Sequence, residues 1–215
     1  MARTNMGKNL GHMIDTDLLQ KDSIIIDGGV CIGEFIHELA NLTDISQFTI
    51  IGFEPSKTNI ESLAETFKGS HVQIEAKAIV GKNFPDKTLF YEYKNAGLEE
   101  WGNVIDYHGP AARARGAKEV TYLVETVTIE KIFSIYNIPR IDYLKLDIEG
   151  AEFDIVRTMT QEIANKVYQI SMEVHDEEQN PSRSRAASVN LLNDGLVKLG
   201  YETHFEKGEL YGYRK

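Results

Sequence analysis

At 215 residues, with 42% hydrophobic side chains and a formal charge of −10, the chain is long enough to bury a sizeable core and reads as a single domain, residues 1–215. The acidic balance argues against nonspecific attraction to nucleic acid or to an anionic membrane surface. A single cysteine, Cys31, excludes an internal disulfide framework; with no apolar signal segment at the N-terminus and no apolar run that spans a bilayer, a cytoplasmic location is expected.

Residues 1–22 are polar with scattered apolar positions (Leu10, Met13, Ile14, Leu18), which predicts a short N-terminal helical extension to which no chemistry is assigned. The next stretch, Ser23 to Ala40, organises the rest. Ile24, Ile25 and Ile26 read as a strand that ends on Asp27, crosses a turn containing Gly28, Gly29 and Gly33, and enters a segment of helical periodicity. Glycines there allow backbone N–H groups to approach a ligand, and the helix N-terminus adds partial positive charge.

The side chains around the turn narrow the ligand. A phosphate-cradling P-loop needs a lysine where Glu34 stands, and a dinucleotide fingerprint needs glycine where Val30 stands. Val30 likewise argues against a nicotinamide-dependent oxidoreductase. An acid at the strand end before a turn unsuited to phosphate fits a cofactor with an amino-acid head group and a ribose, such as S-adenosylmethionine.

Gln47 to Ser56 reads as a second strand ending at Glu54, with Pro55 breaking it and Ser56 capping a helix that carries Ile60, Leu63, Ala64 and Phe67 to Gly69. Glu54 lies 21 residues past Gly33 (54 minus 33), where doubly wound folds place an acid that accepts both ribose hydroxyls. His71 to Gly81 reads as a third strand whose end, Glu75 to Ala78 with Ala76 within it, is expected beside the adenine. Lys87–Tyr93 and Val120–Ile129 are β-rich and expected to pair. The segment between them, residues 94–119, is read as a substrate-facing lid loop, with Trp101, Tyr107, His108, Arg113 and Arg115 as its possible contacts.

After a helix over Ile129–Tyr136, Ile141 to Leu146 has the density of a buried parallel strand. Asp147, Glu149 and Glu152 cluster at its C-terminal end beside Gly150, where open α/β sheets bind ligands. Glu152 also fits an acid complementing a helix dipole. Val167–Asp176 is a fifth strand that delivers Glu173 and His175 to the same edge, and imidazole is the side chain suited to accept a proton near neutral pH. Asp176–Arg185 is a polar loop, a possible second lid. A helix with Val189, Leu192, Leu196 and Leu199 stops at Gly200, and two closing strands meet at Lys207 and Gly208.

IIIDGGVCIGEF, FEPS and LKLDIEGAE, in that order, with VETVTIEKIF before the third and MEVH after it, resemble the FkbM-type S-adenosylmethionine-dependent methyltransferases from Ile24 to His175. The resemblance implies a Rossmann-like seven-stranded methyltransferase fold; with the paired β-rich stretches Lys87–Tyr93 and Val120–Ile129, the expected class is α/β, mostly parallel with helices on both faces and an extra β-hairpin insertion. The resemblance also implies O-methylation of a hydroxyl on a sugar, glycolipid or natural-product acceptor. Carried onto this sequence, Asp27, Gly29 and Gly33 match the cofactor loop, Glu54 the ribose acid, and Asp147, Glu149, Gly150 and Glu152 the acidic motif. Where the family commonly has Ala-Asn, this chain has Val30-Cys31, which replaces a side-chain amide by a poor hydrogen-bonding thiol.

The expected site follows. Asp27, Gly28, Gly29, Gly33, Glu54, Pro55, Ser56, Ala76 and Asp147 hold the cofactor. His175 is the general base, with Asp147 or Glu173 orienting or replacing it. Glu149, Trp101, Arg113 and Arg115 face a small-molecule or glycan acceptor. A divalent cation such as Mg²⁺ on Asp147, Glu173 and His175 is a variant that no spacing rule requires. The alternative, motivated by Val30-Cys31, is a methyltransferase-fold binding or regulatory module that is weak or inactive in catalysis. Acceptor and oligomeric state are not readable from the sequence.

Overall fold

The computed structural model describes residues 12–94, 102–103, 116–175 and 185–214. Its centre is a seven-stranded sheet. Strands β1 (Ile24–Gly28), β2 (Thr49–Phe53), β3 (Gln73–Glu75), β8 (Ile141–Leu146) and β9 (Val167–Glu173) are parallel. β11 (Glu209–Tyr213) pairs antiparallel with β9, and β10 (Glu202–Glu206) pairs antiparallel with β11. The order across the sheet is β10-β11-β9-β8-β1-β2-β3, so the winding direction reverses between β1 and β8. That reversal opens a crevice at the carboxyl ends of the strands.

Alternation along β1 explains the two-sided core. Ile24 and Ile26 pack on one face with helices α3 (Ile129–Ile135) and α4 (Glu152–Thr158). Ile25 packs on the other with α1 (Glu34–Leu42), through Phe35, Ile36 and Leu39, and with Leu63 of α2 (Lys57–Thr66). Ser56 caps α2 by accepting the Asn59 N–H at 3.2 Å, as its position ahead of the helix implies. A four-residue helix α5 (Gln161–Ala164) leads into β9, and α6 (Arg185–Lys198) leads into the closing hairpin, whose turn has Lys207 and Gly208 at positive φ.

Three expectations are revised. The single third strand is two: β3 belongs to the large sheet, and after Ala76 the chain passes into β4 (Lys77–Ile79) of a second sheet. That second sheet is four-stranded, β4-β7-β5-β6, with β5 (Lys87–Lys94), β6 (Gly102–Asn103) and β7 (Lys118–Val127). β5 and β7 do pair antiparallel, from Lys87↔Glu125 to Lys94↔Lys118, but a hairpin alone does not describe an assembly that also recruits β4 and β6. Thirdly, between His12 and Asp22 the expected helix is one short 3₁₀ turn, Thr16–Leu18, because Asp15 takes the Asp17 N–H and the chain then leaves the turn extended at Leu19.

Candidate active site

The crevice between β1 and β8 gathers the side chains of the two informative motifs. Asp27 sits in β1 opposite Lys145 of β8 and Gly52 of β2. Its carboxylate is fully buried, and neither oxygen has a hydrogen-bond partner of good geometry among the described residues. Lys145 Nζ stands 3.1 Å from Asp27 Oδ1, donates to the Gly29 carbonyl at 2.8 Å, and lies 3.8 Å from Asp147 Oδ2. Burial raises the Asp27 carboxyl despite the ammonium. Burial opposes the charge on Lys145, but Asp27 and Asp147 hold its pKa above the ordinary lysine value.

The glycine turn is built against the acidic motif. Gly29 has φ +79°, and a Cβ there would lie 1.8 Å from the Asp147 carbonyl oxygen, so no other residue fits without moving backbone. Four of its amides are spent within the fold: Gly29 and Val30 donate to the Phe53 carbonyl, Cys31 to Glu54 Oε2, and Gly33 to the Val30 carbonyl. Nor does the Val30 side chain face a ligand. It is a core residue that occupies the space left by Gly52, where a Cβ would meet Val30 Cγ2 at 2.5 Å.

Glu54 follows β2 and is buried, with Oε1 accepting from the Ser56 N–H at 2.8 Å and Oε2 from the Cys31 N–H at 2.9 Å. Burial pushes its carboxyl up to about 7 against those two donors. Pro55 is half-buried beside it. The Ser56 hydroxyl is committed to the helix cap and to Glu92 Oε1, 2.6 Å away on β5, to which Tyr122 of β7 also donates. Ala76 is exposed at the crossing between the two sheets, next to Glu75, whose carbonyl accepts the Glu54 N–H.

Beyond β8 the chain makes a turn with Glu149 at φ +55° and Gly150 at φ +99°. Glu152, fully buried, accepts the N–H groups of Ile148 and Gly150 at 2.8 Å each, so it shapes the turn as well as opening α4. Its Oε1 also lies 3.2 Å from His175 Nδ1. His175 Nε2 is 3.1 Å from Glu149 Oε2 and 3.9 Å from Glu173 Oε2. Burial alone would discharge this imidazole, but Glu152 and Glu149 outweigh it and hold its pKa well above the ordinary value. The side chain expected as the general base is thus clasped by carboxylates that favour its protonated form. Burial raises the carboxyl of the less enclosed Glu173.

His12 is the residue the sequence reading missed. From the N-terminal segment its Nδ1 reaches Glu209 Oε2 at 3.0 Å and its Nε2 reaches Asp147 Oδ2 at 3.4 Å, while Ser171 donates to the same Glu209 oxygen. Burial would raise the Asp147 carboxyl, yet Lys145 and His12 carry it below the usual carboxylate range. Lys145 was missed too, although a lysine inside the apolar strand IDYLKL is a signal, since a buried cation needs a paired anion. His12 carries no such signal.

Asp147, Glu149 and His175 each offer one donor atom, all within 4.8 Å of one another, so Glu149 rather than Glu173 completes the donor set of the cation variant. Trp101, Tyr107, His108, Arg113, Arg115 and the loop over 176–184 lie outside the described residues. Among the described residues no helix is long and apolar enough to cross a membrane.

The strand order, its reversal beside an acid-tipped glycine turn and the acidic motif after β8 together define a methyltransferase-type domain. A family model described as the Methyltransferase FkbM domain matches residues 27–202, and the chain belongs to that family. A similar solved structure is the methyltransferase FkbM of Methylobacillus flagellatus, with a TM-score of 0.54 and 17% identity over 93% of this chain and 46% of that one. Among curated proteins, the AMB antimetabolite synthetase AmbE of Pseudomonas aeruginosa is 30% identical over 82 residues, 38% of this chain and 4% of the synthetase. The chain therefore spans under half the length of the solved relative and a small part of the curated one.

Proposed function

We propose that the chain is an S-adenosylmethionine-dependent methyltransferase that transfers the methyl group to a hydroxyl of a sugar, glycolipid or other natural-product acceptor. One observation carries this reading: in a chain of the FkbM family, Asp27, Glu54, Asp147 and Glu173 converge from β1, β2, β8 and β9 on one crevice edge. The turn from Asp27 to Gly33 would hold the methionine head group, and Glu54 would accept from the ribose diol. Asp147, Glu149 and Glu173 would line the side on which the acceptor meets the methyl group that the cofactor supplies. Methyl transfer is an in-line displacement, so the protein's work is near-attack positioning and removal of the acceptor proton. Glu173, with its raised pKa, accepts that proton. His175 holds Glu149 and Glu173 in place, and Asp147 remains an ionised anchor. Trp101, Arg113 and Arg115 remain proposed acceptor contacts.

A second reading adds a divalent cation on Asp147, Glu149 and His175, which the donor set supports. Such an ion would acidify the acceptor hydroxyl.

Isothermal titration of the whole chain with S-adenosylmethionine and S-adenosylhomocysteine tests the cofactor reading. Binding of both supports it, and no heat at high micromolar ligand contradicts it. Turnover unchanged between excess EDTA and added Mg²⁺ would remove the cation.

A further inference from the structure

Lys145 is the buried cation on which the proposed head-group pocket depends. It is almost wholly enclosed, on the β8 residue in register with Asp27. Three groups of the pocket meet at its ammonium: Asp27 Oδ1 at 3.1 Å, the Gly29 carbonyl at 2.8 Å and, more distantly, Asp147 Oδ2 at 3.8 Å. The Gly28 carbonyl lies 3.5 Å away. Without this cation, the Asp27 carboxylate and the Gly29 carbonyl would lose their nearest positive partner, while Asp147 would keep His12 and the Gly28 carbonyl the Asp147 N–H. The turn's own amides cannot compensate, because those of Gly29, Val30 and Cys31 are spent on Phe53 and Glu54. Nothing else among the described contacts ties the Gly29 carbonyl to β8.

We propose that Lys145 is a positioning residue for the methionine head group, its ammonium locking the Gly29 carbonyl and the Asp27 carboxylate into the geometry and charge that a zwitterionic amino acid requires. This role rests on the S-adenosylmethionine reading. It acts first at the head group: the adenosine half of the ligand meets Glu54, which accepts the Ser56 and Cys31 N–H groups and feels Lys145 only as a longer-range charge. Loss of Lys145 therefore penalises ligands that carry the amino-acid group more than those that lack it, and the comparison is made at about pH 8.5, where Glu54 stays ionised. A lysine that merely stabilised the fold would affect both alike.

The test compares S-adenosylhomocysteine with 5′-methylthioadenosine, which keeps the nucleoside and thioether but has no amino-acid group, by calorimetry on the full chain. Wild-type binding of S-adenosylhomocysteine is measured first, and its absence removes the cofactor reading and this proposal with it. Given that binding, Lys145→Met should lose at least about tenfold in affinity for S-adenosylhomocysteine, the scale of a charge-assisted hydrogen bond, and less than about twofold for 5′-methylthioadenosine. Equal losses for both ligands, or none for either, would overturn the proposal. Lys145→Gln and Lys145→Arg are scored by the same ratio, so a Met variant that does not fold leaves the test intact.

Discussion

The backbone N–H of Cys31 donates to Glu54 Oε2 at 2.9 Å, which ties the first cofactor motif to the second. This bond uses the main chain, so the thiol that replaces the family's amide is not what holds the acid. What residue 31 must supply is its backbone angle, φ +54°. Asparagine tolerates that left-handed region better than cysteine does. Cys31→Asn should therefore raise stability by up to about 1 kcal/mol and leave S-adenosylhomocysteine affinity unchanged, whereas Cys31→Val should lower stability by about 1–2 kcal/mol. Denaturant unfolding and calorimetry check both.

Glu54 makes cofactor binding sensitive to pH. Burial raises its folded-state carboxyl to about 7, so this group's contribution to stability is fully present below its unfolded value and is lost as pH rises through about 7. Binding runs the other way, because ribose hydroxyls donate to the ionised carboxylate. Affinity for S-adenosylhomocysteine should fall between pH 8 and pH 6, with a limiting slope of about tenfold per pH unit below the pKa. Glu54→Gln should bind more weakly at pH 8 and lose this dependence.

Gly29→Ala should be among the most damaging single-methyl additions in the chain. The added Cβ would lie 1.8 Å from a main-chain oxygen, that of Asp147, at a φ that already disfavours alanine. A loss of more than about 3 kcal/mol is expected, with cofactor binding abolished. Gly69→Ala is the control. It shares a positive φ but meets nothing within 4 Å, so only about 1 kcal/mol should be lost.

The catalytic assignment separates Glu173 from His175. Glu173→Gln should cut kcat by about 10²–10⁴-fold, the range of a general base, while S-adenosylhomocysteine affinity stays within about twofold. His175→Ala leaves the fully buried Glu152 and the nearby Glu149 without their imidazole partner, and should cost about 3–5 kcal/mol of stability as well as turnover. Steady-state kinetics beside thermal unfolding distinguishes them.

Much of this arrangement was legible in the chain. The strand triplet ending on Asp27, the acid at Glu54 and the run ending at Leu146 carry patterns set by local physics: apolar runs, glycine turns and strand-end acids. The partition of residues 73–79 between two sheets was not legible, since β3 and β4 share one apolar pattern and only their partners, Phe53 and Glu125, tell them apart. His12 was hidden because its role depends on a contact with Glu209, 197 positions away. The carboxylate clasp on His175 was hidden for a related reason. Its spacing from Glu173 is visible in the sequence, but the nearer carboxylates come from the turn and helix after β8.

The most direct test of the account is a crystal structure of the full chain with S-adenosylhomocysteine. The ribose diol is expected on Glu54, the amino-acid group against the turn from Asp27 to Gly33 and Lys145, and the sulfur facing Asp147, Glu149 and Glu173. Ligand bound away from the β1/β8 crevice, or with its ribose remote from Glu54, would contradict it.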